Sequence, residues 1–152
     1  MDLRALHTED YQGVDRLMEQ LHQLHKKGKP DYVTGTQHPY SREDFDVLVA
    51  SDQVIALAAV EDETIVGLCI VTLQEKSGMV PMRIAYMDDL AVDPAYQHRG
   101  IATTLFREAE RQAKALGARR LDLTVWAFNE PAHQLYTALG MHPQRYILEK
   151  NL

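Results

Sequence analysis

The chain has 152 residues, of which 45% are hydrophobic and 25% are charged, and this balance predicts one soluble globular domain over residues 1–152. Its 16 Lys and Arg residues against 22 Asp and Glu residues give a net charge of −6, which argues against nucleic-acid binding, because such proteins neutralise phosphates with clustered basic residues. No apolar run approaches the roughly 20 residues of a membrane span, and the first residues lack the features of a signal peptide, so we expect a cytoplasmic protein without membrane association.

The first half of the chain predicts two helices followed by a hairpin. Apolar residues recur at helical spacing over 8–26, a surface loop follows from Lys26, and Ser41 caps a short helix over 41–50. Two runs rich in β-branched residues, 54–60 and 64–73, flank Asp62 and Glu63, and they predict two antiparallel strands joined by a turn.

The second half alternates strands and helices. A strand over 82–92 stops before Pro94, a helix over 101–116 ends at Gly117, and a strand over 120–126 precedes a helix over 131–139, with a last strand at 145–148. The order predicts an α/β (α+β) fold with a mixed central sheet, antiparallel in its first half and parallel in its second, flanked by helices.

Neither the cysteine nor the histidines predict a metal site. Cys69 is the only cysteine and lies in an apolar run, so we expect a small buried hydrophobic residue. His22 and His25 share the first helix but lack a third ligand. We therefore predict no metal.

The junction between strand 82–92 and helix 101–116 predicts an anion-binding turn. The first turn of a helix leaves backbone N–H groups without partners, and the helix dipole adds positive charge there. Gly100 and Ala102 leave this backbone accessible, and His98 and Arg99 add donors at the rim. The spacing alone is equally consistent with an ordinary helix N-terminus, and it matches neither the three-glycine dinucleotide motif nor a P-loop.

Two blocks of sequence carry a family resemblance. Residues 90–102 read Leu-Ala-Val-Asp-Pro-Ala-Tyr-Gln-His-Arg-Gly-Ile-Ala, and this block resembles the signature of the GNAT superfamily of acyl-CoA N-acyltransferases. That signature is a strand ending in a Val-x-Pro segment, then Arg/Gln-x-x-Gly-x-Gly/Ala. The second block, 121–141, is similar to the family's strand, Asn129, and helix with Leu135-Tyr136 before a Gly-Met turn. The resemblance is most detailed over residues 82–148, and the order of elements extends it loosely to the whole chain.

The resemblance implies acetyl-CoA as a co-substrate, held where two parallel strands splay apart. It assigns the pantetheine arm to the backbones of Leu90, Ala91 and Val92. It assigns the pyrophosphate to amides of Gln97, His98, Arg99, Gly100, Ile101, Ala102 and Thr103. A homodimer is also compatible with it, since many relatives are dimers.

The same resemblance gives roles to two residues around the last helix. Asn129 contacts the cofactor in this interpretation, although an N-cap for the helix explains it equally simply. Tyr136 donates a proton to the leaving thiolate, a step to which a phenol with a pKa of about 10 is suited. The alternative for Tyr136 is packing in the core.

Asp88 and Asp89 are the candidates for the base that removes a proton from the amine. Strict alternation places them on opposite faces, Asp88 with Leu90 and Asp89 with Ala91, although a bulge would shift that register. An exposed strand face is the alternative explanation of this pair.

The expected function is transfer of an acetyl group to a primary amine of a small molecule or peptide, directly in a ternary complex. The loop with Tyr32, His38 and Tyr40 is expected to wall the acceptor site. A non-catalytic acyl-CoA-binding sensor or interaction module is the alternative function, and a nucleotide-phosphate binder of another kind is a third.

Overall fold

A computed structural model describes residues 1–33, 39–76, 78 and 80–152. Five strands and four helices form along these residues. In chain order they are β1 (Asp2–Ala5), α1 (Tyr11–Gly28), α2 (Arg42–Ala50), β2 (Val54–Glu61), β3 (Thr64–Lys76), β4 (Met82–Val92), α3 (Ile101–Ala115), β5 (Arg120–Leu123) and α4 (Glu130–Ala138). Short 3₁₀ turns at Thr8–Asp10 and Pro94–Tyr96 precede α1 and follow β4.

The strands form one sheet in the order β1-β2-β3-β4-β5. Neighbouring strands are antiparallel as far as β4, and β4 and β5 are parallel. The mixed sheet predicted from the sequence, antiparallel first and parallel later, is therefore confirmed. Asp62 and Glu63 form the turn between β2 and β3, where both have a positive φ.

The core has two layers, one on each face of the sheet. On one face, α3 buries Ile101, Leu105, Phe106, Ala109 and Ala113 against Val66, Cys69 and Val71 of β3, and α4 adds Leu135 and Tyr136. On the other face, α1 and α2 bury Val14, Leu17, Met18 and Phe45 against Ala58, Leu68 and Ile70. Cys69 is fully buried, as its apolar neighbours predict.

Several element bounds match the sequence prediction closely, and three differ. The four residues of β1 were not predicted, because so short a strand has too little alternation to be recognised. The predicted strand 120–126 ends at Leu123, because its pairing with β4 stops at Met87 although β4 itself continues to Val92. The predicted strand at 145–148 is wrong, since that segment pairs with no strand in the described part of the chain.

None of the helices in the described residues is long and apolar enough to cross a membrane. Within those same residues, no cluster of three or more His, Cys, Asp or Glu side chains is arranged to hold a metal ion.

Candidate active site

A gap opens between the two parallel strands. β5 pairs with β4 only at Ile84–Met87, through Arg120–Leu123. β4 continues to Val92, so residues 88–92 have no β5 partner among the described residues. The backbone N–H and C=O groups of a strand edge are donors and acceptors for an extended ligand. Leu90, Ala91 and Val92 lie on this free edge.

A β-bulge at Asp88 sets the direction of the two carboxylates. Ile70 pairs with Asp89 while Val71 pairs with Met87, so Asp88 is an extra residue in β4. Thr72 Oγ1 donates to Asp88 Oδ2 at 2.6 Å. Since Ile70 and Thr72 lie on the same face of β3, both carboxylates lie on the face covered by α1 and α2. The opposite faces predicted by strict alternation are wrong, because the bulge shifts the register.

Asp89 is held by a tyrosine from the loop before α2. The Tyr40 hydroxyl donates to Asp89 Oδ2 at 2.5 Å, and the Tyr40 carbonyl accepts from the Tyr11 hydroxyl at 2.7 Å. Burial raises the pKa of Asp89 to about 6, even though the hydrogen bond from Tyr40 lowers it. Burial and the nearby Asp89 raise the pKa of Tyr40, which therefore stays protonated and donates. At neutral pH, Asp89 is a half-buried carboxylate able to accept a proton.

Tyr136 lies on the other side of the sheet, in the layer formed by α3 and α4. Its ring lies 6.3 Å from the ring of Phe106 and packs against the core, which is the alternative role that the sequence allowed. Burial, with smaller effects of Cys69 and Asp89, raises the pKa of Tyr136 to about 12. The Tyr136 phenol is thus protonated at neutral pH.

Burial raises the pKa of the Cys69 thiol to about 12 as well. A thiol with so high a pKa is a poor nucleophile at neutral pH, because the thiolate is the reactive form. The two carboxylates of β4 thus lie on one face of the sheet, the protonated Tyr136 phenol lies in the layer on the other face, and Cys69 is not an activated nucleophile.

The anion-binding turn connects β4 to α3. Gly100 caps the helix at φ 79°, and His98 also has a positive φ, of 64°. The Thr104 N–H donates to the Gly100 carbonyl at 3.0 Å, so the amides of Ile101, Ala102 and Thr103 precede the first such bond of the helix.

The rim of this turn is exposed. Gln97, His98, Arg99 and Gly100 are all exposed, and Arg99 stacks over Tyr96, with its Cζ 5.0 Å from the ring centroid. A Cβ at Gly100 would meet nothing within 4 Å, so the positive φ, rather than crowding inside the protein, is what requires glycine there.

Asn129 caps α4. Its side-chain oxygen accepts from the Ala132 N–H at 3.3 Å, which is the N-cap role that the sequence offered as one of two explanations.

Aromatic side chains pack together where the segment after β5 meets the end of α1. Trp126 stacks on Phe128 at 6.3 Å between centroids, and Tyr32 and His25 contact these rings edge-on. Gly28 makes this contact close, because a Cβ there would lie 2.1 Å from the Phe128 ring. Of the residues predicted to wall the acceptor site, Tyr32 contacts Trp126, Tyr40 contacts Asp89, and His38 lies outside the described residues.

The Tyr40–Asp89 hydrogen bond was not foreseen from the sequence. The two residues are 49 positions apart, and neither lies in a motif that predicts the other. The only sequence signal was indirect, a tyrosine in the expected acceptor wall and a carboxylate pair inside a strand.

Comparison with known proteins agrees with this arrangement. The family model described as "Acetyltransferase (GNAT) family" matches residues 18–141. A Bacillus subtilis (strain 168) protein, provisionally named a ribosomal protein bS18-alanine N-acetyltransferase, is 39% identical over 64 residues, which is 42% of each chain. The chain spans under half the length of the curated relatives it matches, 42% and 46%.

Two solved structures cover nearly the whole chain. A mutant of the BH1408 protein from Bacillus halodurans has a TM-score of 0.95 at 27% identity, covering 100% of this chain and 99% of its own. An aminoglycoside acetyltransferase from an uncultured soil metagenomic sample has a TM-score of 0.71 at 29% identity, covering 99% of this chain and 97% of its own.

Proposed function

The chain belongs to the acetyltransferase (GNAT) family, and from that premise we propose that it transfers the acetyl group of acetyl-CoA to a primary amine of a small molecule or peptide. The observation that carries the proposal is the gap beyond Met87, with a carboxylate on one face of the sheet and a protonated phenol on the other. Both groups that direct acyl transfer needs are therefore available without a covalent enzyme intermediate.

The donor fits the residues around the gap. The free edge at Leu90, Ala91 and Val92 offers N–H and C=O groups to the amides of the pantetheine arm. The amides that open α3, with those of the turn before it, offer donors to the pyrophosphate. These turn residues are Gln97, His98, Arg99, Gly100, Ile101, Ala102 and Thr103. Asn129, whose side-chain oxygen caps α4, keeps its amide N–H₂ as a possible donor to the cofactor.

In the proposed reaction the amine nitrogen attacks the thioester carbonyl, a C–N bond forms and the C–S bond breaks. Asp89 accepts the proton that the amine loses, directly or through water, because its carboxylate is ionised above a pH of about 6. Tyr136 donates its proton to the departing thiolate, giving free CoA. Asp88, which is more exposed, attracts a cationic amine to the same face.

Replacement of Tyr136 by Phe tests this assignment. Loss of the general acid is expected to lower kcat about 100-fold while the Kd for acetyl-CoA stays unchanged, since the hydroxyl acts only as the thiolate leaves. Steady-state thiol release and calorimetry measure the two quantities. Tyr146→Phe, at an exposed position outside the gap, is the matched control. A Tyr136→Phe variant as fast as the parent would remove Tyr136 from the mechanism.

The acceptor is tested with a panel of amines and acetyl-CoA. The panel contains aminoglycosides and peptides with an N-terminal alanine, which the names of the relatives suggest, together with polyamines and free amino acids. Acetyl-CoA binding without turnover on any amine would favour a non-catalytic acyl-CoA sensor. Binding of ATP or NAD without binding of CoA would contradict the proposal as a whole. Since acetyl-CoA is a cytoplasmic metabolite, we also propose that the reaction takes place in the cytoplasm.

A further inference from the structure

The helix α1 is attached to both of the segments that continue past the paired part of β4 and β5. At the first attachment, the Arg16 guanidinium donates to the Asp93 carboxylate at 2.5 Å, and the Gln20 side-chain amide donates to the same carboxylate. Asp93 directly follows Val92, the last residue of β4. This attachment therefore fixes the chain at the point where the free edge of β4 ends.

The second attachment joins the end of α1 to the segment after β5. The His25 ring lies 6.4 Å from the Phe128 ring and contacts it edge-on. Gly28 lies so close that a Cβ there would be 2.1 Å from the same ring. Phe128 belongs to the segment that follows Leu123, the last residue of β5. One helix thus holds both segments, each at a different point along its length.

The length of helix between the two attachments exceeds the spacing of paired strands. Gln20 and His25, the nearest residues of the two attachments, are about 8 Å apart along the helix axis, at a rise of about 1.5 Å per residue. Arg16 and Gly28, the farthest, are about 18 Å apart. Paired strands lie only about 4.8 Å apart. α1 is therefore long enough to hold the two segments further apart than strand pairing would.

At its narrow end the gap is fixed by a contact between side chains. Met87 and Leu123 are the last paired residues of β4 and β5. Beside them, the hydroxyl groups of Tyr86 and Thr124 share a hydrogen bond at 2.6 Å. The two strands are thus joined where their pairing stops, and beyond that point α1 is the element that connects the two segments.

We propose that α1 is a spacer that holds the cofactor gap open before acetyl-CoA binds, with Arg16, Gln20 and Phe128 as positioning residues. These residues act through the separation of the two segments rather than by touching the cofactor. A gap that is already open binds its ligand without the cost of first parting two strands. The identity of the ligand rests on the proposed function, but the separation is measurable without a ligand.

Pulsed electron paramagnetic resonance between two spin labels measures this separation. The labels are attached to Ala95→Cys and Ala127→Cys, at exposed positions of the two segments, while the fully buried Cys69 stays unlabelled. The parent is expected to give a narrow distribution of distances that acetyl-CoA leaves unchanged. Arg16→Met and Phe128→Ala each release one attachment, so each is expected to broaden the distribution, and acetyl-CoA is expected to narrow it again.

The affinity for acetyl-CoA tests whether the two attachments act together. Arg16→Met and Phe128→Ala are each expected to raise the Kd, measured by calorimetry, about 10-fold, as happens when the binding-competent population falls to about a tenth. The double variant is expected to raise it only about 10–20-fold, because a gap released at one end loses little more at the other. Two independent contacts would instead multiply to about 100-fold.

Arg83→Met and Tyr146→Ala are the matched controls. Arg83 donates to the Glu75 carboxylate at 2.7 Å and to the Leu116 carbonyl at 2.8 Å, which are the same kinds of partner as those of Arg16 but do not belong to α1. Tyr146 is an aromatic residue whose exposed fraction is 80%. Both controls are expected to keep the distance distribution and the Kd of the parent.

Three results would each overturn the spacer role of α1. They are a broad distribution in the parent that acetyl-CoA narrows, a narrow distribution in either single variant, and a loss of about 100-fold in the double variant. A parent that binds no acetyl-CoA would contradict the proposed function instead, because the labels still test the spacer in the protein alone.

Discussion

Three effects set the pKa of the Asp89 carboxyl group. Burial raises its pKa, the hydrogen bond from Tyr40 lowers it and the nearby Asp88 raises it, with a net pKa of about 6. Tyr40 is fixed in turn by Tyr11, whose hydroxyl binds its carbonyl. Tyr40 is therefore a positioning residue in the proposed reaction, since it acts through Asp89 and orients the oxygen that remains free.

Replacement of Tyr40 by Phe is expected to move the acidic limb of the pH profile upward. The hydrogen bond stabilises the ionised form of Asp89, so its loss raises the pKa above about 6, by about one pH unit for a charge-assisted bond. kcat/KM, which rises with pH as Asp89 ionises, should then reach half of its plateau at a higher pH. Measurements use one acceptor amine throughout, so that the ionisation of the amine is common to all variants.

Tyr32→Phe is the matched control, because Tyr32 contacts Trp126 rather than Asp89. Carbon-13 NMR of the carboxyl group gives the pKa of Asp89 independently of activity. If that pKa rises in Tyr40→Phe while the acidic limb stays in place, Asp89 is not the base.

At the scale of elements, the position of α3 decides where the anion-binding turn lies. α3 packs on β3 through Ile101 and Leu105, directly above Gly67. A Cβ at Gly67 would lie 3.0 Å from a methyl group of each of these side chains and 3.3 Å from the Ala91 carbonyl oxygen. Glycine at this position therefore permits the close approach of helix and sheet that brings the first turn of α3 to the gap.

Gly67→Val is expected to lower the free energy of unfolding by about 1–3 kcal/mol, as overpacking of a core does, and to weaken acetyl-CoA binding by displacing the first turn of α3. Urea denaturation and calorimetry measure the two effects. Ile101→Ala in the same chain removes one of the two methyl contacts, so the double variant should recover part of both losses. A Gly67→Val variant with unchanged acetyl-CoA affinity would show that the turn does not depend on this contact.

Helices and strands were predicted correctly from the sequence where the residues of the segment alone determine its structure. The bounds 82–92 were predicted and found, because a long alternating run ends at a proline that cannot extend the ladder. The residues at 145–148 have the composition of a strand, but strand formation also requires a partner, which composition does not report. The bulge at Asp88 depends on the pairing of β3 with β4, and the sequence allowed it without locating it.

Contacts between segments distant in the chain could not be predicted from the sequence. Two blocks of the chain sufficed to predict the family and the gap, but the Tyr40–Asp89 hydrogen bond joins residues 49 positions apart. A single sequence contains no pattern that predicts contact between two residues so far apart.

At the scale of the molecule, Arg16 links three segments that are distant in sequence. Its guanidinium donates from α1 to Asp93 at 2.5 Å and to the Ile65 carbonyl at 2.6 Å. Asp93 also accepts from the Ala95 N–H at 2.9 Å, which shapes the chain as it leaves β4. One side chain thus connects the first helix, the start of β3 and the approach to the anion-binding turn.

Arg16→Met is expected to reduce the free energy of unfolding by about 1–3 kcal/mol, because the Asp93 carboxylate and the Ile65 carbonyl lose a charged donor. Arg107→Met, which removes an exposed pair within α3, is the control and should change it by less than about 0.5 kcal/mol. Urea denaturation at neutral pH compares them. Equal effects of the two substitutions would contradict a special role for Arg16.

The extra residue at Asp88 has a practical consequence for anyone who randomises this strand. Before the bulge, the odd-numbered residues Ala85 and Met87 face α3 and α4, and after it the even-numbered Leu90 and Val92 do. A combinatorial library that varies every second codon of β4 would therefore begin in one core layer and finish in the other. Two shorter libraries, one on each side of Asp88 and offset by one codon, would keep to a single layer.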